Sequence, residues 1–115
     1  MTEIQTVGVI GGGVMGSGIA QALAVGGYRV TVRDLNEQLI EKSRHTIVDG
    51  RYGLERGVER GKTTREDADA ALARLSWTTS VGDLKDIDLV IEAVPEDLEL
   101  KKKVIHDNAA ALDGL

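Results

Sequence analysis

The stretch that decides the fold is Val7-Gly8-Val9-Ile10-Gly11-Gly12-Gly13-Val14-Met15-Gly16-Ser17-Gly18. An apolar run passes directly into glycines with the spacing Gly-x-Gly-x-x-Gly, at Gly11, Gly13 and Gly16. This pattern predicts a buried strand that turns sharply into a helix. The first amides of such a helix are free and lie at its positive dipole end, so they attract a phosphate. The stretch therefore indicates a nucleotide-binding turn.

Each glycine of the turn has its own expected role. Gly11 permits the tight turn out of the strand, Gly13 lets a pyrophosphate approach the backbone, and Gly16 lets the helix lie close to the sheet. Because glycine is common, the alternative is a turn that only packs a strand on a helix. The context favours a dinucleotide, since a strand precedes the turn, a helix follows it and an acid ends the next strand.

That acid is Asp34, which lies 18 residues after Gly16, close to the roughly 20 expected for a carboxylate that binds ribose hydroxyls. Such a carboxylate repels a 2′-phosphate, so the sequence predicts NAD as the cofactor in preference to NADP. The neighbouring Arg33 is expected to point to the other face of its strand. The alternatives for Asp34 are a helix N-cap or a solvated loop acid.

Composition excludes several other classes of function. The 115 residues suffice for one domain and carry a formal net charge of −5, two histidines and no cysteine. This charge gives no reason to expect nucleic acid or an anionic membrane as a partner, and the lack of cysteine excludes thiolate metal sites. His45 and His106 stand alone, so we predict no metal site. No apolar run approaches the length of about 20 residues that spans a bilayer, and no signal peptide is apparent, so we expect a cytoplasmic protein.

Strands alternate with helices along the chain. Strands are predicted at 6–10, 29–33, 75–80 and 87–94, and helices at 14–25, after Asn36 and after a capping box at Thr63 and Glu66. The alternation predicts an α/β fold of the Rossmann type, with a doubly wound parallel sheet in the strand order 3-2-1-4. This order brings the glycine turn beside the end of strand four, where a dinucleotide would lie.

The second helix is predicted to be long and to carry glycines on one face. Gly50, Gly53, Gly57 and Gly61 follow one another at spacings of three, four and four. One interpretation is a frayed helix or loop, because each glycine costs a helix roughly 1 kcal/mol against alanine. The other is a face left bare for a ligand or for a neighbouring backbone.

Two segments resemble the NAD-binding domain of 3-hydroxyacyl-CoA dehydrogenases. The first is 7–20, which ends in Met15-Gly16-Ser17-Gly18-Ile19-Ala20, and the second is 88–101, which contains Glu92-Ala93-Val94-Pro95-Glu96. The resemblance implies hydride transfer between NAD and the C3 hydroxyl of a 3-hydroxyacyl thioester, of the 3-hydroxybutyryl-CoA type and in fatty acid metabolism. It also implies that 1–115 form an apparently truncated domain, without its last strands and the helical dimerisation domain.

The resemblance further implies which residues hold the cofactor. The glycine turn binds the pyrophosphate, Asp34 binds the adenosine ribose, and two residues after strand four lie near the other half of NAD. The set is Gly11, Gly12, Gly13, Val14, Met15, Gly16, Asp34, Glu96 and Lys101. The family's catalytic His–Glu pair lies beyond Leu115, so no catalytic residue is assigned and the 115 residues alone are expected to be inactive.

Several alternatives stay open at this point. Gly50 and Gly57 stand where family members carry polar and basic side chains against CoA, so the thioester is one of CoA or of an acyl-carrier protein. A non-catalytic NAD-binding module and a Rossmann dehydrogenase for a small hydroxy acid are the other functions considered. An open edge beside strand four, finally, predicts a homo-oligomer formed along that edge.

Overall fold

The structure is a computed structural model, and it describes residues 4–93. Within this range the elements are β1 (Thr6–Ile10), α1 (Val14–Val25), β2 (Arg29–Arg33), α2 (Glu37–Asp49), α3 (Leu54–Glu59), α4 (Arg65–Ala73), β3 (Leu75–Thr78), a 3₁₀ turn (Val81–Leu84) and β4 (Leu89–Glu92). None of these helices has the length and apolar character that a bilayer crossing requires.

The described strands form one parallel sheet in the order β3-β2-β1-β4. Val7 of β1 pairs with Val30 of β2 on one side and with Leu89 of β4 on the other. The Rossmann-type α/β fold and the predicted strand order are therefore confirmed. Because β1 lies inside the sheet, the turn that follows it emerges between the ends of β2 and β4.

The two faces of β1 pack against different layers. Val7 and Val9 are buried in the main core, together with aliphatic residues of the helices and of β2. Ile10 points to the other face and packs with Leu84 of the 3₁₀ turn. Gly8 lies on that second face as well, where an added Cβ would be 3.0 Å from Leu84 Cδ2, so the close approach of the 3₁₀ turn depends on glycine.

Helix α1 lies close to the sheet because its buried face carries small residues. Ala20 and Ala24 are fully buried, and Gly16 and Ser17 continue the same face towards the helix start. Small side chains reduce the distance at which a helix can pack on a sheet. This face therefore brings the start of α1 close to the end of β1.

The predicted long second helix is wrong. Helix α2 ends at Asp49, with Gly50 as its C-cap and Gly53 as the N-cap of α3. An added Cβ would lie 2.3 Å from Thr46 O at Gly50 and 2.7 Å from Ile47 O at Gly53. These glycines therefore permit turns and close backbone contacts, and they do not form a bare helical face. The frayed-helix or loop alternative was the correct one.

Two other predicted features are displaced by one or two residues. The N-cap of α4 is Thr64, whose Oγ1 accepts a hydrogen bond from Asp67 N at 3.0 Å. The capping box at Thr63 and Glu66 is therefore wrong by one position. Strand β3 ends at Thr78, where its pairing with β2 ends, and not at Ser80.

Strand β4 is shorter and more exposed than its apolar sequence suggested. Residues Leu89 and Glu92 are exposed, and the strand covers Leu89–Glu92 instead of the predicted 87–94. Among the described residues β4 lies at the edge of the sheet. Self-association along this edge stays a prediction, and the segment that follows Ala93 lies outside the described residues.

Asp88 ties the start of β4 to the start of β1. Its Oδ2 accepts hydrogen bonds from the backbone amides of Gln5 (2.9 Å) and Thr6 (3.1 Å), and its own amide donates to Thr6 Oγ1 (2.9 Å). These hydrogen bonds hold the pKa of the Asp88 carboxyl below its ordinary value, and the bond from the Gln5 amide contributes most. The charged carboxylate therefore stabilises the pairing of β1 with β4.

We expect Asp88→Asn to destabilise the fold in a pH-dependent way. A lowered pKa in the folded state stabilises the protein above the unfolded-state pKa of about 3.9, and this stabilisation is lost as the pH falls through the folded-state pKa. Chemical denaturation should show a lower unfolding midpoint for Asp88→Asn near pH ~7, and the difference should shrink below pH ~4.

The control is Asp86→Asn, which removes the same charge two residues earlier in the same loop. A difference between Asp88→Asn and the unsubstituted protein that stays constant from pH ~7 to pH ~3 would contradict the role given to the Asp88 carboxylate.

Candidate functional site

The carboxyl ends of three parallel strands lie side by side at the same end of the sheet. Gly11 N, just after β1, donates to Arg33 O at the end of β2 at 2.8 Å. Ala93 N, just after β4, donates to Ile10 O at the end of β1, also at 2.8 Å. These two bonds continue the sheet one residue beyond its strands. The loops after β1, β2 and β4 therefore leave the sheet at fixed positions relative to one another.

The turn after β1 contains two glycines that no other residue could replace without strain. Gly11 has a φ of +99°, in the left-handed region that favours glycine. An added Cβ at Gly16 would lie 1.7 Å from Gly11 O, which is far inside van der Waals contact with the backbone. Gly16 is buried against this carbonyl and near Ala93 Cβ. The two glycines therefore allow the sharp turn and the close packing that the sequence predicted.

Asp34 follows β2 and bonds back to the glycine turn. Its Oδ2 accepts a hydrogen bond from Gly12 N at 2.8 Å, and its Oδ1 accepts one from Leu35 N at 2.8 Å. The N-cap of α2 is Asn36, whose Oδ1 accepts from Leu39 N, so Asp34 does not cap that helix. The structure thus brings the predicted acid into direct contact with the predicted turn.

Arg33 is held away from this carboxylate. Its Nε donates to Thr79 O at 3.2 Å, on the side of β3. The predicted opposite direction of the two neighbouring side chains agrees with this bond. The carboxylate of Asp34 is therefore the charge that faces the glycine turn from β2.

The start of helix α1 is open at its N-terminus. Its N-cap is Gly13, and within the described residues no side chain caps the helix there. An added Cβ at Gly13 would meet no atom within 4 Å. The residues Val14 and Met15 are 87% and 70% exposed. The first amides of a helix that no side chain caps, beside an open surface, can bind an anion.

Three residues behind the turn were missed by the sequence analysis. Ser17 of α1 and Ser43 of α2 are buried, their Oγ atoms are 2.9 Å apart, and Trp77 Nε1 donates to Ser43 Oγ at 3.2 Å. The available signal was a serine that shares the buried small-residue face of α1 with Ala20 and Ala24, since a buried hydroxyl requires a hydrogen-bond partner.

The other two predicted site residues are not among those that the structure describes. Glu96 and Lys101 lie outside the described residues, so their positions near the turn stay predictions. His45 is on the exposed side of α2, with its Nδ1 3.9 Å from Asp49 Oδ2. Residues 4–93 contain no group of three or more His, Cys, Asp or Glu side chains arranged to hold a metal ion.

The chain is similar to known proteins of one family. The family model described as 3-hydroxyacyl-CoA dehydrogenase, NAD binding domain, matches residues 6–113. A curated 3-hydroxybutyryl-CoA dehydrogenase of Mycobacterium tuberculosis (strain CDC 1551 / Oshkosh) is 48% identical over 104 residues, which are 90% of this chain and 35% of that protein. The chain therefore spans about a third of the length of this curated relative.

Solved structures give the same result. The crystal structure of M. tuberculosis FadB2 has a TM-score of 0.89 and 44% identity, over 96% of this chain and 38% of that one. The crystal structure of (S)-3-hydroxybutyryl-CoA dehydrogenase PaaH1 from Ralstonia eutropha has a TM-score of 0.87 and 39% identity, over 95% of this chain and 38% of that one.

We expect Gly16→Ala to destabilise the protein by about 1–3 kcal/mol, because a Cβ at this position overlaps the Gly11 carbonyl and forces α1 away from the sheet. The measurement is the free energy of unfolding in urea.

The matched control is Gly18→Ala, two residues later in α1, where an added Cβ meets no atom within 4 Å. This substitution should stabilise the helix by up to about 1 kcal/mol. Equal effects of the two substitutions would contradict the backbone contact between Gly11 and Gly16.

Proposed function

The chain belongs to the family of NAD-binding domains of 3-hydroxyacyl-CoA dehydrogenases, and on this premise we propose that its glycine turn holds NAD for hydride transfer at C3 of a 3-hydroxyacyl thioester. The observation that carries the proposal is the contact of Asp34 with an uncapped, glycine-rich start of α1. In the proposed complex the residues that contact NAD are Gly11, Gly12, Gly13, Val14, Met15, Gly16, Asp34, Glu96 and Lys101.

The pyrophosphate lies at the start of α1 in this proposal. The free amides of the first turn and the positive end of the helix dipole favour a doubly charged group there. Gly13 leaves the approach open, because no atom lies within 4 Å of the position its Cβ would take. The dimensions of the turn therefore suit a phosphate that contacts backbone rather than side chains.

Asp34 selects the adenosine ribose. Each of its carboxylate oxygens accepts one backbone hydrogen bond, from Gly12 and from Leu35, and keeps a free lone pair for a further donor. The two ribose hydroxyls are such donors. A 2′-phosphate at the same place would be repelled by the carboxylate, and this is the physical basis for a preference for NAD over NADP.

When bound, NAD supplies the hydride chemistry, and the residues of this chain bind and orient it. The group that takes the proton of the C3 hydroxyl is proposed to lie outside residues 4–93, because the described residues place no histidine at the turn. Glu96 and Lys101 are proposed to face the nicotinamide half. In this proposal the protein positions NAD, and NAD transfers the hydride.

A CoA thioester is the proposed substrate class, because the similar dehydrogenases of M. tuberculosis and R. eutropha are named for 3-hydroxybutyryl-CoA. Since the chain spans about a third of its curated relative, the residues that recognise the acyl group are proposed to come from the rest of the enzyme.

A cytoplasmic location and association along the edge of β4 stay predictions from the sequence.

The proposal is tested with the full-length protein, NADH and acetoacetyl-CoA. Loss of NADH absorbance that depends on both reagents is the expected result. Binding of NAD without turnover would favour the non-catalytic module, and turnover of a small keto acid in place of the thioester would favour the other class of Rossmann dehydrogenase.

We expect Gly13→Ala to weaken NAD binding at least about tenfold, which corresponds to about 1.4 kcal/mol, because the new methyl group occupies the approach of the pyrophosphate. The backbone of Gly13 is extended, with φ −67° and ψ −167°, so alanine fits without strain. The change in stability should stay below about 1 kcal/mol. Isothermal titration with NAD provides the dissociation constant.

The control is again Gly18→Ala, which adds a methyl group to open space on the same helix. Its NAD affinity should match that of the unsubstituted protein. An unchanged NAD affinity in Gly13→Ala would contradict the proposed position of the pyrophosphate at the start of α1.

The nucleotide preference depends on the charge of Asp34. We expect the unsubstituted protein to bind NAD at least about tenfold more tightly than NADP, and Asp34→Asn to reduce this ratio by removing the repulsion of the 2′-phosphate. Asp49→Asn, at the far end of α2, removes an equal charge and should leave the ratio unchanged. Equal affinities of the unsubstituted protein for both nucleotides would be incompatible with this role of Asp34.

A further inference from the structure

Two serine hydroxyls are buried behind the glycine turn. The exposed fractions of Ser17 and Ser43 are 1% and 0%, and these are the buried polar side chains of the described residues. A hydroxyl removed from water without a hydrogen bond costs roughly 1–3 kcal/mol in proteins. An aliphatic side chain would be the simpler occupant of either position, so the bonds that these hydroxyls form require an explanation.

The hydrogen bonds form a chain with a defined direction. Trp77 Nε1 donates to Ser43 Oγ at 3.2 Å, Ser43 Oγ lies 2.9 Å from Ser17 Oγ, and Ser17 Oγ donates to Gly12 O at 2.7 Å. A carbonyl only accepts, so the one proton of Ser17 goes to Gly12 and Ser43 donates to Ser17. The indole N–H only donates, which completes the order Trp77 to Ser43 to Ser17 to Gly12. Each bond polarises the next in such a chain.

The hydrogen-bond chain ends at Gly12, which other groups also hold in place. Gly12 N donates to Asp34 Oδ2, so both backbone polar groups of Gly12 are bonded to side chains. An added Cβ at Gly12 would lie 2.9 Å from Ser43 Cβ and 3.1 Å from Asp34 Oδ2. The peptide groups on both sides of Gly12 are therefore set by contacts from α1, α2 and the end of β2.

The hydrogen-bond chain also connects distant elements to the turn. Trp77 belongs to β3, which is separated from β1 by β2 in the sheet, and Ser43 belongs to α2. The guanidinium of Arg44, also on α2, lies over the Trp77 ring, 5.0 Å from its centroid. The position of a turn residue after β1 is thus linked to side chains two strands away.

We infer that Trp77, Ser43 and Ser17 are positioning residues that hold the glycine turn, through the carbonyl of Gly12, in the geometry that binds the pyrophosphate of NAD. The inference rests on the proposed function, since it names what the turn is positioned for. The amide of Gly13 follows the Gly12 carbonyl in the same peptide group, so a rotation of that carbonyl redirects the first amide of the anion site. Misplacement by fractions of an ångström is enough to weaken such a site.

The main experiment removes the middle hydroxyl. Ser43→Ala keeps the Cβ that leaves no room for a side chain at Gly12, and it breaks the hydrogen-bond chain between Trp77 and Ser17. In the full-length protein we expect its dissociation constant for NAD to rise about three- to tenfold, the range of one neutral hydrogen bond. Thr46→Ala is the matched control, because its hydroxyl is on the same helix and donates to Lys42 O at 2.9 Å; its affinity should change less than about twofold.

A second set of variants tests the order of the chain. Ser17→Ala should weaken NAD binding by a similar factor, and the double variant with Ser43→Ala should be no weaker than Ser17→Ala alone, because both act through the same carbonyl. Fully additive losses would overturn the chain. If Ser43→Ala does not fold, Trp77→Phe replaces it, since phenylalanine keeps a ring and removes the indole N–H.

A readout without NAD separates this inference from the proposed function. In the ligand-free protein, the amide resonances of Gly12 and Gly13 should shift in Ser43→Ala and stay in place in Thr46→Ala. If the unsubstituted protein binds no NAD, the proposed function fails while these resonances still decide whether the chain positions the turn. A Ser43→Ala protein with a lower unfolding midpoint but unchanged resonances and NAD affinity would show a structural role alone and overturn the inference.

Discussion

The backbone contact between Gly11 and Gly16 is the constraint on which the rest of the structure depends. With no room for a Cβ between the Gly16 α-carbon and the Gly11 carbonyl, the start of α1 lies directly against the end of β1. The small buried face of α1 keeps the helix at that distance along the sheet. A helix in this position has its N-terminus, which is the positive end of its dipole, beside the carboxyl ends of the strands. The proposed pyrophosphate site is thus a consequence of close packing.

The turn is stabilised by elements that come later in the chain. Asp34 reaches it from the end of β2, and the hydroxyl chain reaches it from α2 and β3. In a parallel sheet the loops that follow neighbouring strands lie at the same edge, so residues far apart in sequence converge there. A site built mainly from backbone amides lacks long side chains that could adjust, and it therefore requires such external support.

The fold and the turn were predictable to different degrees. The glycine spacing and the acid after β2 are local patterns whose physical cause is contained in a few neighbouring residues, and the structure brings the two together at the turn. The glycines from Gly50 to Gly61 were not, because spacing alone does not separate a helical face from two caps and a turn. The cap at Thr64 was misplaced by one residue, since Thr63 and Thr64 offer the same hydroxyl.

The amino-acid sequence by itself determined the strand–turn–helix unit and the order of the parallel sheet, because these depend on periodicity and on positions that only glycine can occupy. It also indicated the family, through the resemblance of segments 7–20 and 88–101 to known NAD-binding domains. Only the tertiary structure decided what surrounds the turn. Ser17, Ser43 and Trp77 lie on three different elements, and no spacing along the chain links them. Their hydrogen bonds exist because packing buries the two serines beside the half-buried Trp77, where each buried hydroxyl must find its partner within the protein.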